Sequence, residues 1–180
     1  MPLSHCSKPL YFVFDVESIG LHGEGFAVGW VVIDEVGQQV ASAGYACSPD
    51  LARGDDESRA WLAQHLPSLN YNCRDPKHVR EEFCRAWQFA RGKGVLLVAD
   101  CPWPVEARFL ATCVDEGLLG PMEGPYPLLD VASVRLAAGL DPLTEAPRLL
   151  TEVPPHDPRV DAKQSARLLV EAINLTRARA

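Results

Sequence analysis

Residues 10–17, "LYFVFDVE", are apolar at almost every position until Asp15 and Glu17. A run apolar on both faces reads as a central strand. Residues 26–34, "FAVGWVVID", read as a second strand, and 39–48, "QVASAGYACS", as a third, with "EVGQ" as the turn between them. The short connection points to an antiparallel meander. The segment "DDESRAWLAQHLPSL" is helical in pattern from Glu57 and ends at Pro67. A longer helix follows, with Asp75 as N-cap, Pro76 in its first turn, and Phe83, Trp87 and Ala90 as its apolar stripe. Gly92 and Gly94 stop it. "VLLVADC", 95–101, is another buried-type strand, and the helix after it begins near Pro104. "YPLLD" is short enough for strand or loop. Asp130 then caps a helix over 131–138, and 141–157 is a proline-rich loop. The last helix has Asp157 as N-cap, Pro158 at its first position, and Leu168, Leu169 and Ile173 on its apolar face. Strands and helices in this order predict one α/β domain, a mixed sheet flanked by helices. We place the domain at 10–175, with tails at 1–9 and 176–180.

Composition narrows the class. The 180 residues are 47% apolar and 23% charged, ordinary for a soluble globular chain with a real core. No apolar run has the length of a membrane span, and "MPLSHCSKPL" has no signal-peptide core. The expected location is cytoplasmic, with no membrane partner. The six cysteines form no CxxC pair, which argues against a zinc knuckle, and they read as reduced and mostly buried. The formal charge of −7 argues against broad binding of duplex DNA through phosphates, but allows local action on a nucleic acid where bound cations supply positive charge.

In a strand, residues i and i+2 share a face, so Asp15 and Glu17 project together while Phe14 and Val16 enter the other layer. Two adjacent carboxylates repel and lose hydration when buried, and a divalent cation relieves both costs. Hard oxygen ligands favour Mg²⁺ or Mn²⁺ over zinc. A strand end emerging into water would carry acids too. Near the other end, "HDPRVDAKQSARLL" sets His156 just before the last helix and Asp161 early in it. A histidine near neutral pKa is suited to taking a proton from water, and an aspartate beside it to holding a metal. An ordinary capped helix start reads the same way.

Taken together, the motifs resemble those of the DnaQ-like, DEDDh family of 3′–5′ exonucleases, within the ribonuclease H-like superfamily. The resemblance spans about residues 10 to 173 and points to a small, single-domain, exoribonuclease-like member. "FDVESIGL" is similar to the family's first motif, FDxExTGL, with Ser18 and Ile19 where the family usually carries threonine. "HDPRVDAKQSARLL" is similar to the third motif, and the histidine five residues before Asp161 marks the histidine branch. The middle motif departs from the pattern. In "VADCPWPVEARFL" the acid in helical register is Glu106, and Asp100 falls where the family usually has asparagine. Glu106 is the favoured middle ligand, with Asp100 expected in the same pocket; a first-turn acid and a loop acceptor are the structural alternatives.

The resemblance implies two divalent ions held by Asp15, Glu17, the middle acid (Glu106 or Asp100) and Asp161. One ion activates a water and orients the scissile phosphate, and the other stabilises the leaving 3′ oxygen. His156 accepts the proton of the attacking water. The loop Ser18, Ile19, Gly20 and Leu21 is expected to meet the terminal nucleotide, and Trp103 to stack on a base. The partner is the 3′ end of a single strand, RNA favoured over DNA, and a homodimer is the candidate assembly. DNA proofreading or repair trimming is an alternative, as is a binding module of the same fold that has lost catalysis. The chain has no GxxxxGK[ST] and no glycine-rich turn after its first strand, which argues against a P-loop NTPase or a Rossmann dehydrogenase.

Overall fold

The first strand, β1 (Tyr11–Ser18), is the centre of a five-stranded sheet of order β3-β2-β1-β4-β5. The computed structural model describes residues 9–123 and 127–179. Cys6, Tyr126, most of the N-terminal tail and Ala180 lie outside the described residues. β2 (Gly25–Ile33) runs antiparallel to β1 and to β3 (Gln39–Ala46), the meander expected from the short turn. β4 (Leu96–Ala99) and the two-residue β5 (Leu129–Asp130) run parallel to β1 and to each other, so the sheet is mixed.

Five α-helices pack on it, and the alternation of β1 decides what each face carries. Phe12, Phe14 and Val16 join one core cluster with Phe83, Trp87, Phe109 and Leu110. These come from α2 (Pro76–Arg91) and α3 (Val105–Asp115), and Leu62 of α1 (Asp56–His65) joins them. Tyr11 and Val13 face the opposite cluster, with Ala162, Ala166 and Leu169 of α5 (Pro158–Arg179) and Val131 of α4 (Val131–Ala137). Each fully buried large apolar side chain contributes roughly 1.5–3 kcal/mol of transfer free energy. By the same alternation Asp15 and Glu17 lie on the α5 face, two and four residues beyond Val13.

Several boundaries differ from the sequence expectation. β4 ends at Ala99, because its pairing with β1 stops at Phe14↔Ala99. The carboxylate of Asp130 takes a hydrogen bond from Ser133 Oγ (2.6 Å) and makes no side-chain cap to the helix backbone. α5 runs to Arg179, so the tail expected from 176 is helical through that residue. Cys47, Cys73, Cys84 and Cys113 are buried free thiols, whereas Cys101 is exposed. No described helix is long and apolar enough to cross a membrane.

Candidate metal-binding active site

Beyond Phe14 the β4 side of β1 has no strand partner. The N–H of Val16 instead donates to Glu106 Oε1 at 3.3 Å, which brings the first turn of α3 against the end of β1. On the other side, Asp15 is paired across the ladder with Gly29 of β2. A Cβ at Gly29 would lie 2.0 Å from the backbone nitrogen of Arg159, so the missing side chain is what lets the start of α5 sit on the sheet there. That approach carries His156 and Asp161 to the face of Asp15 and Glu17. Asp157 Oδ1 caps α5 by accepting from the N–H of Arg159 (3.0 Å) and, more weakly, of Val160 (3.4 Å).

The N–H of His156 donates to Asp161 Oδ2 at 2.8 Å, with His156 in the left-handed region at φ 64°. That backbone conformation is uncommon for a residue with a Cβ, and here it closes the turn that sets the imidazole. Its Nδ1 stands 3.6 Å from Glu17 Oε1. Nε2 has no protein partner among the described residues. The Glu17 carboxylate raises the His156 pKa above its ordinary value, against the opposing effect of partial burial. One ligand atom each from Glu17, His156 and Asp161 lies within 4.8 Å of the other two.

Four acidic side chains surround Asp15. Burial pushes its carboxyl well above the usual range, and the charges of Glu17, Glu106, Asp161 and Asp100 push the same way. Glu106 is only 8% exposed, and burial raises it to about 7 although Val16 donates to it. Burial also raises Asp161, opposed by a hydrogen bond from Arg148. Asp100, one residue past β4, is exposed and is the outermost of the set. The site thus gathers five carboxyl groups from β1, the β4 end, α3 and α5. An oxygen-rich set with surplus negative charge and one imidazole fits hard divalent cations such as Mg²⁺ or Mn²⁺.

No protein-family model matches the chain, and no curated protein matches it.

A cleft of about 630 Å³ opens beside His156 and Glu17. Ser18, Gly20 and Leu21 line it, together with Ser58, Trp61 and Leu62 of α1. Ser18 Oγ donates to the carbonyl of Gly20 at 2.7 Å, and Gly20 turns at φ 67°, with Ser58 Oγ where a Cβ would go. Leu21 is 65% exposed at the rim. Ile19 is fully buried in the core and its N–H donates to the carbonyl of Glu24, so it presents neither group to the cleft. Trp103 is 70% exposed but does not line the cleft.

Two neighbours of the site belong to no motif in the sequence. Trp61 meets His156 edge to face, with ring centroids 5.1 Å apart, and stacks on His65 at 4.2 Å. Arg148 reaches Asp161 Oδ1 at 2.5 Å from the loop before α5. A tryptophan on an exposed helix and an arginine among prolines carry no local signal of either position.

Proposed function

We propose that this chain is a metal-dependent 3′–5′ exonuclease of the DnaQ-like, DEDDh type on a ribonuclease H-like fold, acting on single-stranded RNA or short oligonucleotides. The observation that carries the reading is the convergence of Asp15, Glu17, Glu106 and Asp161, from three separate elements, at one half-buried site beside His156. A mixed sheet with helices on both faces is consistent with it. The DNA-directed form of the same reaction shares this chemistry and is an arm of the test below.

Asp15, Glu17, Glu106 and Asp161 are the candidate ligands, with Asp100 at the edge. Divalent cations bound there would supply positive charge to the phosphate and lower the pKa of water. His156 Nε2 is the group placed to take the proton of the attacking water, since Nδ1 is directed at Glu17. Glu17 in turn stabilises the imidazolium that results. The water oxygen bonds to phosphorus, the bond to the 3′ oxygen of the preceding nucleotide breaks, and a nucleoside 5′-monophosphate leaves. The shortened strand takes a proton on its new 3′ hydroxyl. The cleft beside the acids has room for one nucleoside, with Trp61 as a stacking surface for its base.

A second reading, a nucleic-acid-binding module without catalysis, is favoured by one observation: Arg148 already pairs with Asp161. Degradation of 5′-labelled single-stranded RNA and of the same DNA sequence, with Mn²⁺ or with EDTA, separates the two. A metal-dependent ladder shortening from the 3′ end, lost in Asp15→Ala and His156→Ala, supports the exonuclease and ranks the substrates. Binding without cleavage of either strand favours the module.

A further inference from the structure

We propose that Arg148 is a tethered cation of the acid site, which holds Asp161 and competes with a divalent ion for that carboxylate. The inference rests on the metal-dependent reading above and deepens it.

The pairing is built rather than incidental. Both oxygens of Asp161 are engaged, Oδ2 by the N–H of His156 and Oδ1 by Arg148 at 2.5 Å. The loop that carries Arg148 is fastened to α5 just beyond Asp161. Gln164 Nε2 donates to the carbonyl of Ala146 at 3.1 Å, and Arg167 Nη2 to that of Pro147 at 2.9 Å. Arg148 also donates to the carbonyl of Glu152 at 3.0 Å, which fixes the direction of its guanidinium. The Glu152 carboxylate is not available to it. Arg167 holds both of its oxygens, at 2.7 and 2.9 Å, and the N–H of Leu149 takes one of them. The charge of Arg148 is therefore directed to Asp161, and among the described residues no other lysine or arginine forms an ion pair with the five acids of the site.

A carboxylate oxygen that accepts from a guanidinium keeps a second lone pair, but the positive charge of Arg148 at 2.5 Å from Asp161 Oδ1 repels a divalent ion there and competes with it for that oxygen. The ion binds most tightly to the molecules in which Arg148 has withdrawn, so its apparent affinity falls as the paired fraction rises. Arg148 thus keeps the acid set together without metal, and weakens cation binding at Asp161 relative to what the carboxylates alone would give.

The test is Mn²⁺ binding to the metal-free full chain, without nucleotide, followed by calorimetry. A charge-assisted hydrogen bond removed from competition predicts that Arg148→Gln binds Mn²⁺ about tenfold tighter than wild type, or more. In a second arm that needs no variant, the side-chain ¹⁵N resonances of Arg148 are followed as Mg²⁺ is added to the wild-type protein; they are expected to move with ion binding. Equal or weaker Mn²⁺ affinity in Arg148→Gln overturns the inference and leaves the metal-dependent reading standing. So do Arg148 resonances that stay still while the ion binds. No Mn²⁺ binding to either protein overturns both. Should Arg148→Gln fail to fold, the resonance arm decides alone.

Discussion

Gly29 lies directly opposite Asp15 in the β1–β2 ladder, and the backbone of Arg159 fills the space that a side chain at 29 would need. One glycine therefore sets the distance between the sheet and the helix that brings the second half of the site. Gly29→Ala puts a Cβ 2.0 Å from the Arg159 nitrogen, a backbone atom that moves only with the helix. The expected cost is about 1–3 kcal/mol, the range for overpacking a close-packed contact. Urea unfolding should show it. Strand degradation should fall further than stability explains, because the displaced groups are His156 and Asp161. A variant as stable and active as wild type would mean that α5 does not depend on this contact.

The acids should make the metal-free protein less stable than it could be. Asp15 is half-buried among four other carboxyl groups, so removing its charge removes repulsion while keeping the shape. Asp15→Asn is expected to raise the unfolding free energy of the metal-free chain by about 1 kcal/mol, and to abolish both cation binding and strand cleavage. Destabilisation by Asp15→Asn in EDTA would argue that the carboxylate has a structural partner.

The pH dependence follows from the same groups. A carboxyl whose pKa is higher in the folded than in the unfolded chain binds more protons when folded, so its contribution to stability improves as pH falls. For Glu106, raised from 4.5 to about 7, that gain begins below about pH 7 and is complete only near pH 4.5. Glu24 and Glu152 act in the opposite sense. Hydrogen bonds from Arg53 and Arg80 hold Glu24 low, those from Arg167 hold Glu152 low, and their stabilisation is lost only when pH falls through the carboxylate range. Metal-free stability should therefore peak in acidic solution, at the lower end of the Glu106 window and above the pH at which Glu24 and Glu152 take protons. Mn²⁺ should raise the melting temperature at about pH 8 and raise it much less at about pH 5, where protons compete for the ligands. An equal increment at both values would place the ion on groups other than these.

How much of this was legible depends on the range of the interaction. The i, i+2 placement of Asp15 and Glu17, the β1–β2–β3 meander and the Asp157 cap of α5 are local consequences of sequence, and the fold carries each of them. Gly29 looked like any residue of a strand, since the reason for a glycine there lies more than a hundred residues away in the α5 backbone. Arg148 sits in a proline-rich loop with no periodicity, and Gln164 and Arg167 of α5 fix its place. Ile19 belonged to a motif expected to meet substrate, but its apolar side chain is buried in the core. Its side chain fills the space that a Cβ at Gly54 would need, a contact distant in sequence that the motif does not report.

Trp61 gives the sharpest test of where the base goes. The residue is 46% exposed at the cleft, its ring perpendicular to that of His156, while His65 covers part of one face. A half-exposed ring contributes little to the core, so Trp61→Ala should leave the melting temperature nearly unchanged. Stacking of a base on an aromatic ring is worth about 1–3 kcal/mol, so the variant should lose roughly 5- to 150-fold in affinity for a short oligonucleotide. Under the proposed chemistry the loss should fall mainly on KM, since Trp61 touches the substrate and not the reacting phosphate. Trp103→Ala is the control: it is more exposed and does not line the cleft, so it should change neither constant. If Trp103→Ala weakens binding and Trp61→Ala does not, the strand runs over the start of α3 rather than into the cleft beside α1.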